Sequence, residues 1–417
     1  MTDHRTAAHL LRRLTFGPTA AEVDAAAREA PDALLDRVLA PAPLPALPDL
    51  GPDPFGALAP GASREDRQQA RRAVRPQVAE ATWWWLRRMA GGGAAEKLTF
   101  FWHGHWATSV QKVRSAPLML GQQQAFRRYG SGDTGPLVRA MLRDPALILW
   151  LDGQRNTRRA PNENLARELM ELFTLGVGRY SEADVKAGAR VLTGWRVDRA
   201  AGRAELVARR HDDTAVTLLG ATVGDADAYA DLLVRHPAHV PFIAGRLWLR
   251  YGSATAPAPA VTGRDVTGML RTLVTAPAFA ATRGQLVKQP VEWLVGAVRQ
   301  LGIDLGAVAA GQRGPILGAL RSLGQVPFRP PSVGGWPSGP AWLTTSSATA
   351  RLKAGQALAA LAPAAVEELG RGDRLTTLAR MLVVDGWTDR TRVALTAVKE
   401  PRHLLGLALA TPEYTVH

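Results

Sequence analysis

PNENLARELMELFTLG, residues 161–176, sets the fold class of this chain. At about 100° per residue, Leu165, Ala166, Leu169, Met170, Leu172 and Phe173 fall in one apolar arc. Glu163, Asn164, Arg167, Glu168 and Glu171 fall in the opposite arc, which spans about 140°. Pro161 followed by Asn162 is a start signal and Gly176 a stop. The stretch is therefore expected to be one amphipathic helix, Pro161–Gly176, with an acidic face. Glu168 and Glu171 lie one turn apart, as do Asn164 and Glu168, so these side chains can converge on one ligand; Glu163 and Arg167 are spaced to pair. The spacing fits a solvated polar face equally well.

Working outward, Glu182–Leu192 is a further helix, and then the period changes. Trp195–Val197, Ala204–Arg209 and Val216–Leu219 carry short β-type runs, separated by Arg199-Ala200-Ala201-Gly202 and by His211-Asp212-Asp213. Helices resume at about 226–235, 238–250, 263–275 and 290–302. Residues 327–340, PFRPPSVGGWPSGP, hold too much Pro and Gly for regular structure, and the remaining C-terminal stretch is Ala/Leu-rich helix. Upstream, residues 5–40 read as two helices split by Gly17-Pro18-Thr19, with Thr19 placed to cap the second. Seven prolines between 41 and 61 rule out helix or strand there. Helix then runs from Glu65 to Gly91-Gly92-Gly93, over 94–129 and over Pro136–Asp144. The expected class is mainly α: a multi-helix globular array with a small antiparallel β excursion near residues 195–220.

Composition narrows the chemistry. The 417 residues are 46% hydrophobic and 21% charged, enough for a core. No apolar run is long enough for a membrane span. The first residues lack the basic and apolar regions of a signal peptide, so a cytoplasmic location is expected, with export alongside a partner as the alternative. With no cysteine, disulfides, thiolate metal sites and cysteine nucleophiles are excluded. Any metal must be held by His, Asp, Glu or neutral oxygen. The formal charge is +14, but only six of the 51 basic residues are lysine, and the arginines are scattered in pairs with no nucleic-acid module. Nucleic acid is not an expected partner.

Nine histidines offer few constellations. His103 and His105 flank Gly104 in FFWHGHW; on a strand both rings would share a side, whereas on a helix they lie about 200° apart. Helix is favoured, so at most one ring faces a given site, and burial of both in an aromatic core is the alternative. His211 and Asp212 fall in a turn between strands. His236 and His239 flank Pro237 at a helix start. GxSxG, P-loop, Rossmann and HExxH patterns are all absent.

KLTFFWHGHWATS (97–109), PNENLARELMELFTLGVGRYSEADVKAGARVLTGW (161–195), RRHDDTAVTLLG (209–220), GQLVKQPVEWLVGAVRQLG (284–302) and GQVPFRPPSVGGWPSGPAWL (324–343) occur in that order. Together with AAHLLRRLTFGPTAAEV (7–23), they resemble a large bacterial family of unknown function, DUF1800, over roughly residues 7–353. The resemblance implies a single extended domain over 1–417. Its parts would be a wrapped Pro-rich loop at 41–61, a motif-bearing core at 94–220, a Pro/Gly-rich loop at 324–343 and a helical C-terminal part at 354–417. It also implies a partner, since members are commonly encoded beside a family with a sulfatase-like fold. Val216 and Gln289 depart from the family pattern, where Lys and Ser are common.

Two functions are expected from these features. The first is a metal-dependent enzyme, hydrolase or oxidoreductase, with a divalent metal as cofactor. There Glu163, Arg167, Glu168 and Glu171 would be catalytic, Asn162 and Asn164 would bind substrate, and His103, His105, His211 and Asp212 would hold the metal. The second is a non-catalytic binding or assembly protein for an acidic partner or a polyanionic glycan, in which the same residues form a structural polar network. Convergence of the glutamates with His103 or His105 separates the two.

Overall fold

Two helices with apolar residues on every side, Ala94–His105 and Pro290–Gln300, form the centre of the fold. The computed structural model describes residues 1–59 and 61–417. Among the described residues the chain forms 23 α-helical segments and two small two-stranded antiparallel sheets. The mainly α class holds, and among the described residues no helix is long and apolar enough to cross a membrane.

The β excursion consists of two hairpins. Trp195–Asp198 pairs with Arg203–Leu206 around the Arg199–Gly202 turn, and Val216–Leu218 pairs with Ala221–Val223. The second strand stops at Leu206 and does not continue to Arg209, because Ala208–Arg210 tightens into a helical turn. Thr19 caps Ala20–Ala26 in a reciprocal box with Glu22, satisfying two amides that would otherwise lack partners.

Trp83, Trp85, Trp102, Trp106 and Trp293 are fully buried, so these large aromatics build the core. The Pro/Gly-rich loop lies directly over Ala94–His105. The Phe328 carbonyl accepts from the Val110 amide at 2.9 Å. Gly335 sits at φ +83°, and a β-carbon there would overlap the carbonyl oxygen of Gly104. The two glycines thus allow helix and loop to meet backbone to backbone. Residues 286–288 pair antiparallel with 415–417, which brings Lys288 beside the last turn of the chain. Residues 41–53 carry no regular structure. They are fastened from outside: Gln124 donates to the Pro45 carbonyl at 2.9 Å, and Gln77 to the Leu50 and Pro52 carbonyls at 2.7 and 3.0 Å. Pro60, part of the expected 41–61 loop, lies outside the described residues.

Candidate functional site: a cationic cleft beside a π-helix

The 161–176 stretch is helical, but not as one α-helix. Its entry is held by asparagines: Asn156 Oδ1 accepts from the Asn162 amide (2.9 Å), Asn162 Oδ1 from the Asn164 amide (3.1 Å), and Asn164 Nδ2 donates to the Leu151 carbonyl (3.3 Å). Helix therefore begins at Asn164, runs as α to Glu168, and widens to π geometry over Leu169–Thr174. The Leu175 amide reaches back five residues to Met170 O at 2.9 Å. Carbonyls at the end of such a helix lack amide donors. Two of them are satisfied by histidine: Phe173 O by His105 Nε2 at 2.9 Å and Thr174 O by His239 Nδ1 at 3.0 Å.

These bonds assign the ring protons. His105 carries its proton on Nε2, and His239 on Nδ1, with His239 Nε2 accepting from the Thr134 hydroxyl at 2.9 Å. His103 is the opposite of its neighbour: Phe328 N–H donates to His103 Nε2 at 2.9 Å, so the proton sits on Nδ1. Burial pushes His103 and His105 down to about 3 and His239 to about 4, leaving neutral rings.

The expected metal constellation is not assembled. His105 does meet the 161–176 helix, but through a backbone carbonyl on its buried side. His103, rotated away on a helix buried all round, turns to the Pro/Gly loop. Glu168 and Glu171 stay half-buried on the other face. Burial and then the charge of Glu171 push the Glu168 carboxyl up, while Glu171 accepts from the Tyr180 hydroxyl. Glu163 and Arg167 pair at 3.1 Å, and Arg167 also holds Glu182 at 2.7 Å. Further away, the His211 ring bonds Thr193 O at 2.9 Å, and Asp212 pairs with Arg190 at 2.8 Å. Among the described residues no three of His, Asp and Glu are grouped to hold a metal ion.

A different site lies on the other side of His105. Phe100, Phe101, Gly104 and His105, Arg246 and Arg250 of the His239–Tyr251 helix, Gln289, and Trp336-Pro337-Ser338 line a cleft of about 130 Å³. Phe100 and Trp336 stack there at 5.6 Å. Arg246 is half-buried, desolvation lowers its pKa, and no carboxylate lies beside it among the described residues. Arg250 bonds Glu292 at 2.8 Å through Nη1, while its Nη2 and the Trp336 indole N–H are buried without a partner.

Behind the cleft sits a buried charge cluster. Glu292 forms an ion pair with Lys97 at 2.7 Å and accepts from Arg250 (2.8 Å) and the Gln289 amide (2.9 Å). Burial alone would push that carboxyl up; Arg250 and Lys97 outweigh it and hold it well below the usual range. Arg13 spends its donors on the Tyr251, Gly252 and Thr282 carbonyls, and Lys288 lies 3.7 Å over the Tyr414 ring. Burial lowers Arg13 to about 9, Lys97 to about 8 and Lys288 to about 7. Lys97 and Arg250 thus share one carboxylate, with the basic groups of Arg13 and Lys288 buried nearby.

The family model described as a protein of unknown function, DUF1800, matches residues 9–416. The chain belongs to the DUF1800 family. No curated protein and no solved structure matches it. The DUF1800 match continues well past residue 353 and takes in residues 415–416, which pair against 287–288. Three DUF1800 stretches, KLTFFWHGHWATS, LVKQPVEW and GGWPSGP, meet at the Arg246 cleft, and PNENLARELMELF packs on its rear through Phe173. Sequence reasoning missed Arg246 and Arg250, which line this cleft, and Lys97 and Glu292 behind it. Their signal was a charge on an otherwise apolar helix: Arg246 and Arg250 one turn apart in HVPFIAGRLWLRY, Lys97 in AAEKLTFFW and Glu292 in QPVEWLVGAV.

Proposed function

We propose that this DUF1800 protein is a binding or assembly protein that captures an anionic group, carried by an acidic partner or a polyanionic glycan, in the Arg246 cleft. The carrying observation is Arg246, a half-buried guanidinium with no carboxylate beside it among the described residues. A guanidinium fork bonds carboxylate or sulfate oxygens in pairs, and more strongly where water is excluded. Gln325 donates to Gln289 Oε1 at 2.7 Å, which leaves the Gln289 NH₂ as a donor beside the arginine. The Ser338 hydroxyl is a second neutral donor, and the Phe100–Trp336 stack offers a flat face to a sugar ring or an aliphatic stem. A cleft of about 130 Å³ admits one charged group and the start of what carries it, so the rest of the ligand lies outside. The +14 charge would draw such ligands in. An acidic segment of the sulfatase-like partner implied by the family is one occupant of this chemistry.

Calorimetric titration with a sulfated disaccharide and with an acidic peptide, at fixed ionic strength, tests the reading. Loss of one charge-assisted contact, about 1.5–3 kcal/mol, should weaken binding roughly ten- to hundredfold in Arg246→Ala. No saturable binding of either probe, or an unaffected variant, would sink it.

A divalent-metal enzyme remains the second reading, and Glu168 favours it: a half-buried carboxyl pushed up beside Glu171 where α gives way to π helix, a place functional sites often occupy. It would hold its ion through carboxylates and water, without His103 or His105. Elemental analysis of purified protein is its test: one divalent ion per chain, lost in Glu168→Gln, supports it, and metal-free native protein refutes it.

A further inference from the structure

The proline-rich strap that the Arg246 cleft leaves unused roofs a second cavity. Pro41–Leu44 pass over a space of about 310 Å³ whose walls include Leu14, Leu98, Phe126 and Leu270. The strap's fastenings lie beyond the roof, at Pro45, Leu50 and Pro52. An apolar void of this size is uncommon in a packed core and is comparable to small-molecule pockets.

The polar edge of this cavity carries surplus positive charge. Glu96 accepts from Arg127 through two bonds, at 3.0 and 2.8 Å, and from the Trp85 indole at 3.0 Å, with Arg88 3.5 Å away. Both of its oxygens are therefore engaged. Arg127 nevertheless has its Nη1 buried with no partner, and so does the Tyr251 hydroxyl; both residues line the cavity. Arg128, exposed, lines it as well. Arg127 and Arg88 thus flank one carboxylate, and Arg128 adds a further guanidinium at the edge of a space lined mostly by aliphatic and aromatic carbon, with Thr99, Ser131 and Thr267 among its walls.

The geometry points to a second ligand site in which this cavity takes a single-chain aliphatic carboxylate. The tail packs on Leu14, Leu98, Phe126 and Leu270 beneath the Pro41–Leu44 strap, and the carboxylate lies at the Arg127–Arg128 edge. An aliphatic tail suits walls in which carbon predominates and the Thr99 and Thr267 hydroxyls already donate to the Ala95 and Ser131 carbonyls. A negative head fits Arg128, the exposed guanidinium that lines the cavity edge, with Arg127 behind it. The site is independent of the Arg246 cleft.

The full chain is titrated calorimetrically with decanoate, decanol and acetate, the first below its micellar concentration. Decanoate should bind saturably, one per chain, with decanol and acetate at least tenfold weaker. Ala95→Phe places a ring in the cavity from the Ala94–His105 helix and should abolish decanoate binding, with the melting temperature and the Arg246-cleft affinity for a sulfated disaccharide kept. If Ala95→Phe does not fold, Ala42→Trp on the exposed strap blocks the same space. Arg128→Ala should weaken decanoate several-fold and leave decanol unchanged. Absence of saturable decanoate binding, or decanoate affinity untouched by the blocking variant, overturns the site; equal affinity for decanol and decanoate overturns the carboxylate assignment.

Discussion

Replacing His105 by glutamine and comparing stability at two pH values separates a buried neutral imidazole from a metal- or carboxylate-facing one. The ring packs on Phe101 at 5.8 Å and Phe173 at 6.2 Å and donates to the Phe173 carbonyl. Glutamine keeps a donor and loses aromatic packing, so the variant should be less stable at pH 7.5. The folded imidazole is pushed down to about 3, whereas an unfolded histidine titrates near 6.5. Between those values the unfolded chain binds the extra proton, so lowering the pH erodes wild-type stability. At pH 5 the unfolded ring lies about 1.5 units below its pKa, worth about 2 kcal/mol at 1.36 kcal/mol per unit. Glutamine has nothing to titrate, so the stability gap should narrow by about 2 kcal/mol between pH 7.5 and pH 5. Taking the difference of differences cancels every other group. Urea denaturation followed by tryptophan fluorescence reads it. A gap that stays constant or widens on acidification would mean a protonated ring facing a carboxylate, and would refute the buried neutral assignment.

Gly335→Ala should cost about 2 kcal/mol or more in urea, since a non-glycine residue at φ +83° is strained by about 1–2 kcal/mol before its β-carbon meets Gly104 O; a loss under 0.5 kcal/mol would show that the loop does not lie against the helix. Glu292→Gln leaves Lys97 and Arg250 buried without a counter-charge and should cost about 3–5 kcal/mol by denaturant midpoint, whereas a near-neutral effect would place that cluster in contact with water. Asp144 is buried beneath Gln122 at 2.7 Å and caps Leu147, and burial pushes its carboxyl up to about 7. A carboxyl raised in the folded state binds its proton more tightly there, so its contribution is lost as pH rises from about 4 to 7. Asp144→Asn, which keeps a capping oxygen, should therefore gain on the wild type in thermal melts from pH 5 to pH 8, and a shrinking difference would contradict the burial.

The fold was largely legible because its helices announce themselves by period and punctuation. Thr19 with Glu22, the Arg199–Gly202 turn and the prolines of 41–53 act through local chemistry, which sequence displays. The 161–176 stretch shows where that stops. Its arcs were drawn at α spacing, yet from Leu169 the helix widens, because capping of its last carbonyls depends on His105 and His239, supplied from elsewhere in the chain. The Glu163–Arg167 pair, set by one turn of α-helix, was readable; convergence of Glu168 with His103 was not, since it depends on how two helices roll against each other. The cleft itself was hidden for a different reason. Arg246 and Arg250 resemble the surface arginines that fill this chain, and only the packing of His239–Tyr251 shows that Arg250 is buried and Arg246 half-buried.

The central claim, that the Arg246 cleft receives an anion, is tested most directly by soaking crystals in selenate and calculating the anomalous difference map. A selenium peak is expected within hydrogen-bonding reach of Arg246 and Gln289, absent from Arg246→Ala crystals grown and soaked identically. Peaks confined to surface pairs such as Arg209–Arg210, with the cleft empty, would contradict it.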